Sequence, residues 1–191
     1  MPVFATPADA RIRLIAIVRD RSFQSGTEFK LASGRLSTLY FNMKPTMLDA
    51  EGAVLAASLM LDAMTGDAAP LVGGLELGAV PLAACVAAFS HYRGETRRAL
   101  IIRKATKEHG TQSLIEGLPR GQTVAGQRVI VLEDVTTTGG SSLKAVAVLR
   151  EAGATVDRVI TLLDRQEGAG AAFEAANVRL DSILKAADII G

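Results

Sequence analysis

The sequence has little of what several classes of protein require. Its 191 residues include one cysteine, Cys85, which excludes an intramolecular disulfide and a zinc site built from several cysteines. The 18 glycines and 6 prolines are too few for a collagen-like or low-complexity chain. The longest apolar run, residues 79–89, has 11 residues and contains Pro81, whereas a helix needs about 20 to span a bilayer. Because Cys85 lies within that run, we expect it to be a buried, inert thiol.

The chain also lacks a net charge that would attract a large polyanion. Its formal net charge is +1 at pH 7, so we expect no nucleic-acid partner. The first residues carry no basic flank ahead of an apolar stretch, which predicts no signal peptide and a cytoplasmic location. Hydrophobic residues make up 49% of the chain, which at this length predicts one domain, residues 1–191, with no membrane partner.

Charge is concentrated in one segment. Residues 91–120 carry seven basic side chains against three acidic ones, together with both histidines, His91 and His109. A locally basic stretch on a nearly neutral chain favours a small anionic ligand. The alternative is a loop whose charges are only solvated.

Hydrophobic spacing predicts an α/β chain. The expected helices lie after Pro7 and at 49–64, 79–89 and 143–152, and the expected strands at 71–72, 99–102, 129–132 and 159–163, after two short strands joined by a turn within 29–42. The alternation after residue 71 is typical of a parallel sheet flanked by helices. Residues 103–126 interrupt it with four glycines, Pro119 and little apolar periodicity, which indicates a functional loop.

One strand and the segment after it carry the chemistry. The apolar run 129–132 leads directly into Glu133 and Asp134, then into the Thr/Gly/Ser run 135–142 and a helix. In open α/β sheets ligands bind outside the carboxyl ends of the strands, and amides at a helix start favour an anion. Carboxylates beside such a loop suit hydroxyl groups next to a phosphate, as in ribose 5-phosphate. The alternative is that Asp134 caps a turn and the run is a plain loop.

The common nucleotide-binding motifs are absent. No lysine follows the glycines of the run 135–142, so it is not a Walker A loop, and G-x-G-x-x-G does not occur in the sequence. Residues 129–142, with two acidic residues ending a hydrophobic strand and a Thr/Gly-rich loop, resemble the phosphoribosyl pyrophosphate (PRPP) motif of type I phosphoribosyltransferases. Residues 29–41, 103–110 and 163–167 narrow the resemblance to orotate phosphoribosyltransferases, and it spans about Phe23 to Gly168.

The resemblance implies a fold, a reaction and partners. It implies a type I phosphoribosyltransferase-like α/β fold, a parallel sheet flanked by helices, with a small N-terminal hood at about 1–45 and a mobile catalytic loop at about 103–117. The substrates would be PRPP and orotate, with Mg²⁺ bound mainly through PRPP or pyrophosphate and no dedicated metal ligand in the chain. The chain would form a homodimer with shared active sites, because the family's loop closes into the partner's site.

The resemblance also implies roles for individual residues. The implied catalytic residues are Arg103, Lys107 and His109. The implied PRPP-binding residues are Arg103, Lys104, Lys107, His109, Glu133, Asp134, Val135, Thr136, Thr137, Thr138, Gly139, Gly140 and Ser141. The implied orotate-binding residues are Tyr40, Phe41, Thr137 and Arg165, where an arginine fork suits a planar carboxylate.

Other interpretations stay open at this point. Arg165 could make a surface ion pair, and Phe41 could only fill the core. Some family members carry PRPP-contacting lysines where this chain has Ala32 and Leu77, which leaves open what supplies those charges. The competing functions are a phosphoribosyltransferase for another nucleobase and a PRPP-sensing regulator of the same fold.

Overall fold

The structure, a computed structural model, describes residues 6–30, 36–105 and 113–191. The helices of these residues are α1 (Pro7–Arg21), α2 (Lys44–Met47), α3 (Ala50–Ala63), α4 (Ala79–Tyr92), α5 (Gly140–Glu151), α6 (Ala169–Ala175) and α7 (Ala186–Ile190). The strands are β1 (Phe23–Lys30), β2 (Leu36–Phe41), β3 (Leu71–Leu75), β4 (Arg98–Ile102), β5 (Ile115–Glu116), β6 (Val129–Thr136), β7 (Arg158–Asp164) and β8 (Arg179–Lys185).

Two sheets organise these elements. Strands β1 and β2 form an antiparallel hairpin near the N-terminus. The other strands form a six-stranded sheet in the order β5-β4-β3-β6-β7-β8, in which only β5 runs antiparallel to its neighbour. Because β3, β4, β6, β7 and β8 are parallel, their carboxyl ends meet at one edge of the sheet.

Strand β6 separates two hydrophobic cores. Ile130 and Leu132 pack into the core that contains residues of α1, α3 and α4, whereas Val129 and Val131 pack into the core that contains residues of α5 and α6. Successive side chains of a strand point to opposite faces, and both faces here are covered, so the run is continuously apolar. The same alternation places the next side chain, Glu133, on the α5 face.

A glycine fixes the connection from β6 to α5. Gly139 has φ +83° and precedes the first residue of α5. A side chain there would place its Cβ 2.7 Å from the Phe173 ring, so this position requires glycine on both counts. The loop before α5 is therefore held against the body of the domain.

The structure confirms the predicted α/β class and corrects several boundaries. Strand β6 continues to Thr136, because Glu133, Val135 and Thr136 still pair with β7, so the acidic pair lies inside the strand. The following helix begins at Gly140 rather than Leu143. The residues expected to form only a loop, 103–126, contain β5.

Other elements escaped the sequence analysis. Helices α2, α6 and α7 and strand β8 were not predicted, since they are short or mix polar and apolar residues. Cys85 is partly rather than fully buried, and burial raises the pKa of its thiol. In the described part of the chain, every helix is too short or too polar to cross a bilayer.

Candidate active site

A cleft of about 390 Å³ opens at the carboxyl edge of the central sheet. Its walls come from the end of the hairpin, the turn after β3, the end of β6 and the residue after β7. It brings together nine of the residues proposed from sequence: Tyr40, Phe41, Lys104, Glu133, Asp134, Val135, Thr137, Ser141 and Arg165. Segments far apart in the chain therefore converge on one cavity.

Glu133 and Asp134 are held by different helices. The Glu133 Oε2 accepts a hydrogen bond of 2.7 Å from the Ser142 hydroxyl in the first turn of α5. Asp134 lies on the other side, against Gly78 at the start of α4, where a Cβ would collide with its carboxylate. Gly78 is thus needed for Asp134 to occupy its position.

The two carboxyl groups also differ in solvation. Glu133 is 5% exposed, and burial, followed by the charge of Asp134, raises its pKa from 4.5 to about 8. At neutral pH Glu133 therefore holds a proton, and the pair carries about one negative charge rather than two. This lessens the repulsion between the pair and an anionic ligand.

The loop between β6 and α5 presents part of the expected anion site. Thr137 of the loop and Ser141 in the first turn of the 12-residue helix α5 line the cleft, and the amides at the start of that helix lie between them in the chain. Thr138, Gly139 and Gly140 do not line the cleft. Thr136 is buried, and its hydroxyl has no hydrogen-bond partner among the described residues. The loop thus offers hydroxyls and amides, the donors expected for a phosphate.

Arg165 is buried and largely engaged. Its Nε donates to the Glu167 carboxylate at 2.8 Å, and its Nη2 donates to the Ser37 hydroxyl at 2.9 Å and the Leu39 carbonyl at 3.2 Å. Its Nη1 donates to none of the described residues. Arg165 does make an ion pair, but a buried one rather than the surface pair considered as an alternative. Nη1 is the nitrogen left to meet a carboxylate in the cleft.

The aromatic pair has a mixed role. Phe41 is 7% exposed, its ring centroid lies 5.1 Å from that of Phe23, and the Arg165 guanidinium lies 5.6 Å from its ring. Phe41 thus fills the core as well as lining the cleft. Tyr40 is half-buried and stacks on Phe29, with a centroid distance of 5.1 Å.

The two described basic residues at the start of the loop 103–117 differ in their position relative to the cleft. Arg103 does not line the cleft, because its Nη1 lies 3.3 Å from the Glu116 carboxylate and its Nε donates to the Ala105 carbonyl. Lys104 does line the cleft, and its backbone amide donates to Glu76 at 2.9 Å. Lys107 and His109 lie outside the described residues.

Sequence reasoning missed several residues of the site. Lys44, Glu76 and Gly78 line the cleft, and Ser142 and Glu167 hold side chains that do. Ser142 sits in the motif itself, and its position in the first helical turn was a usable signal. Lys44 follows the aromatic pair by three residues, and nothing in its local sequence distinguishes it from a surface lysine.

Comparison with known proteins assigns the chain to a family. The model of the phosphoribosyl transferase domain matches residues 48–185. An orotate phosphoribosyltransferase of Bradyrhizobium sp. is 52% identical over 181 residues, which are 95% of this chain and 97% of that protein. The chain belongs to the orotate phosphoribosyltransferase family. The resemblance stated from the sequence is thereby confirmed.

Solved structures of the orotate phosphoribosyltransferase family agree with this fold. The orotate phosphoribosyltransferase of Mycobacterium tuberculosis in complex with PRPP is 35% identical, with a TM-score of 0.78, over 95% of this chain and 99% of that one. The enzyme of Aeropyrum pernix is 34% identical, with a TM-score of 0.76, over 93% and 96% of the two chains. The predicted type I phosphoribosyltransferase architecture is therefore correct.

Proposed function

We propose that this chain transfers the 5-phosphoribosyl group from PRPP to N1 of orotate, in pyrimidine biosynthesis. A bond forms between orotate N1 and ribose C1 while the bond from C1 to the diphosphate oxygen breaks and the N1 proton is lost, giving orotidine 5-monophosphate, pyrophosphate and a proton. Negative charge builds on the leaving diphosphate and positive charge on the ribose. Cationic side chains and exclusion of water stabilise such a transition state without a protein nucleophile.

The observation that carries this proposal is the convergence of the PRPP motif and the Arg165 region on one cleft. Thr137, Ser141 and the amides that begin α5 would hold the 5-phosphate. Asp134 would accept from the ribose hydroxyls, and the protonated Glu133 would contribute one carboxyl hydrogen bond. Arg165 Nη1 and the edge of Tyr40 would meet the carboxylate and ring of orotate.

We extend the proposal to the loop 103–117 and to Lys107 and His109 within it. Lys107 and His109 are the best candidates to stabilise or protonate the departing pyrophosphate, with Arg103 released from Glu116 when the loop 103–117 moves. The basic composition of the segment supports this role. Such a loop reaching across a dimer would give the shared active sites of a homodimer.

We propose that Mg²⁺ enters the cleft bound mainly through PRPP or pyrophosphate. Among the described residues, no three His, Cys, Asp or Glu side chains cluster in a way that would hold a metal ion. Mg²⁺ usually keeps several waters and binds through substrate phosphates, and there it neutralises charge on the diphosphate. A cytoplasmic location completes the proposal.

Turnover with alternative bases tests the reaction. Purified protein is supplied with PRPP, Mg²⁺ and one of orotate, uracil or hypoxanthine, and pyrophosphate release is measured. Of the three bases, we expect only orotate to give pyrophosphate release. Release with another base would support a phosphoribosyltransferase of different specificity, and PRPP binding without turnover would support a regulator.

Mixing two inactive variants tests the shared site. The variants are Lys107→Ala, altered in the loop, and Asp134→Asn, altered in the PRPP cradle, mixed at a PRPP concentration at which neither variant alone turns over. Random reassortment makes half of the dimers mixed, each with one intact site of two, so activity should recover to about a quarter of wild-type sites. If mass spectrometry shows subunit exchange and activity does not recover, the loop serves its own chain.

A further inference from the structure

Among the described residues of the cleft lining, one cationic side chain has no role in the sequence analysis or in the proposed function. Of the described residues that line the cleft, Lys44, Lys104 and Arg165 are cationic. Arg165 is neutralised by Glu167, with Nη2 2.6 Å from the carboxylate. The Lys44 ammonium makes no hydrogen bond or ion pair with any residue that the structure describes. Lys44 is thus an uncommitted positive charge on the cleft wall.

The backbone that carries Lys44 is firmly anchored. Met43 and Met47 are 0% and 2% exposed in the hydrophobic core. The Thr46 hydroxyl lies 2.6 Å from that of Ser22 in a buried hydrogen bond, and Thr46 packs against Gly52 of α3. The exposed lysine therefore projects from a rigid segment rather than from a flexible loop. Anchoring of this kind fixes where the lysine side chain starts, so that the backbone does not have to be ordered when a ligand binds.

A second wall of the cleft lacks a cation. The turn after β3 contributes Glu76 and the 63% exposed Leu77, so it offers no cation of its own. Glu76 already accepts the Lys104 amide. A polyanion entering between these walls would meet Lys104 and Lys44 as its positive contacts among the described residues.

Of the three anionic groups of the two substrates, the diphosphate has the fewest assigned partners. On the proposed function, the 5-phosphate is held at the start of α5, and the orotate carboxylate has Arg165 Nη1. The diphosphate carries the most charge, and Lys104 is the one cation of the described cleft lining assigned to it, while Arg103 is held by Glu116 outside that lining. We propose that Lys44 is a substrate-binding residue whose ammonium contacts the diphosphate of PRPP. This inference rests on the proposed function, and it assigns a positive charge to a cleft whose lining has Leu77 where some family members carry a lysine.

Calorimetry with three ligands tests the assignment. Wild type, Lys44→Met and Lys44→Arg are titrated with PRPP, pyrophosphate and ribose 5-phosphate, each with Mg²⁺. Lys144→Met is the matched control, because Lys144 is an exposed lysine of α5 outside the cleft lining. We expect Lys44→Met to bind PRPP and pyrophosphate about tenfold more weakly, as for loss of one charged hydrogen bond. Ribose 5-phosphate binding and the Tm should not change, and Lys44→Arg should restore most of the affinity.

Four results would overturn the inference. Unchanged PRPP and pyrophosphate binding in Lys44→Met would show that the lysine is only solvated. An equal loss for ribose 5-phosphate, or an equal effect of Lys144→Met, would show a general electrostatic effect. A change confined to the KM for orotate would assign Lys44 to the carboxylate. If wild-type protein itself binds no PRPP, the proposed function fails, and that outcome is distinct from a failure of Lys44→Met alone.

Discussion

At the edge of the central sheet where the strands begin, charged side chains pair with one another, whereas at the edge where they end, some charged side chains are unpaired and face a cleft. Asp67, just before β3, lies 3.1 Å from Arg128 and 3.3 Å from Arg158, and Arg158 also lies 2.7 Å from Asp181. At the other edge, the ammonium groups of Lys44 and Lys104 have no acidic partner among the described residues.

The paired charges around Asp67 stabilise the fold, whereas the unpaired charges at the cleft are available to a ligand. Burial works to raise the pKa of Asp67, but the Ala69 amide and the guanidinium groups of Arg128 and Arg158 outweigh it and lower that pKa. At the cleft, burial and a neighbouring carboxylate raise the pKa of Glu133 instead. Groups perturbed by desolvation and by like charge are typical of functional sites.

The largest effect is expected from breaking the paired edge. Asp67→Ala removes the acceptor of two arginines and of the Ala69 amide, so we expect the free energy of unfolding to fall by about 3 kcal/mol. Because the Asp67 pKa is lowered, its contribution is present above the unfolded value and is lost as pH falls through the folded value. The deficit measured by urea denaturation should therefore shrink in acid, while the Kd for PRPP stays unchanged.

Asp157→Ala is the matched control for that variant. Asp157 also pairs with Arg128, but its side chain is 53% exposed, so its loss should cost less than about 1 kcal/mol. Equal losses for the two variants, or weaker PRPP binding by Asp67→Ala, would remove the distinction between the two edges.

The next largest effect is expected at the cleft. Asp134→Asn removes an anionic acceptor for the ribose hydroxyls, and hydrogen bonds to charged groups contribute about 1.5–3 kcal/mol. We expect PRPP affinity to fall roughly 10- to 150-fold with little change in Tm. Asp164→Asn, at the end of β7 but outside the cleft lining, should leave the affinity unchanged. Calorimetry showing wild-type affinity in Asp134→Asn would reject the ribose site.

Arg165 distinguishes the two substrates. Arg165→Ala removes the Nη1 donor left for orotate, so we expect the KM for orotate to rise about tenfold while PRPP binding is spared. Arg165→Lys keeps the charge without the planar fork and should not restore orotate use fully. An equal loss for both substrates would show that Arg165, with its bonds to Ser37 and Glu167, is structural.

The smallest effect concerns the support of Glu133. Because its folded pKa is about 8, its contribution to stability is lost as pH rises from its unfolded value through about 8. Ser142→Ala removes a hydrogen bond that favours the ionised form, so the deficit in unfolding free energy should be about 1 kcal/mol at pH 6 and larger at pH 9. Thr161→Val is the control, because it removes a buried hydroxyl that donates to the Leu163 carbonyl rather than to a carboxyl group. Its loss of unfolding free energy should be the same at pH 6 and pH 9. A Ser142→Ala deficit that does not grow with pH would contradict this role.

The motif residues were predictable because they are contiguous. Asp134, Thr137 and Ser141 follow one apolar run at the carboxyl end of β6, and the carboxyl ends of parallel strands meet at one edge, so their convergence follows from sequence and topology. The partners of Arg165 were not predictable, since Ser37 lies 128 residues away. Lys44 was missed for the same reason, because its place on the cleft wall depends on how α2 is anchored. The different surroundings of Glu133 and Asp134 were not predictable either, because they depend on β6 continuing to Thr136.

Hydrogen exchange of the wild-type protein, with and without PRPP and Mg²⁺, tests most directly the claim that the carboxyl edge of the sheet is the active site. We predict slower exchange in peptides that cover residues 73–80 and 131–143, and unchanged exchange in peptides that cover 64–70 and 153–158 at the opposite edge. Protection at the paired edge, or none at the carboxyl edge under conditions where PRPP binding is verified, would contradict the account.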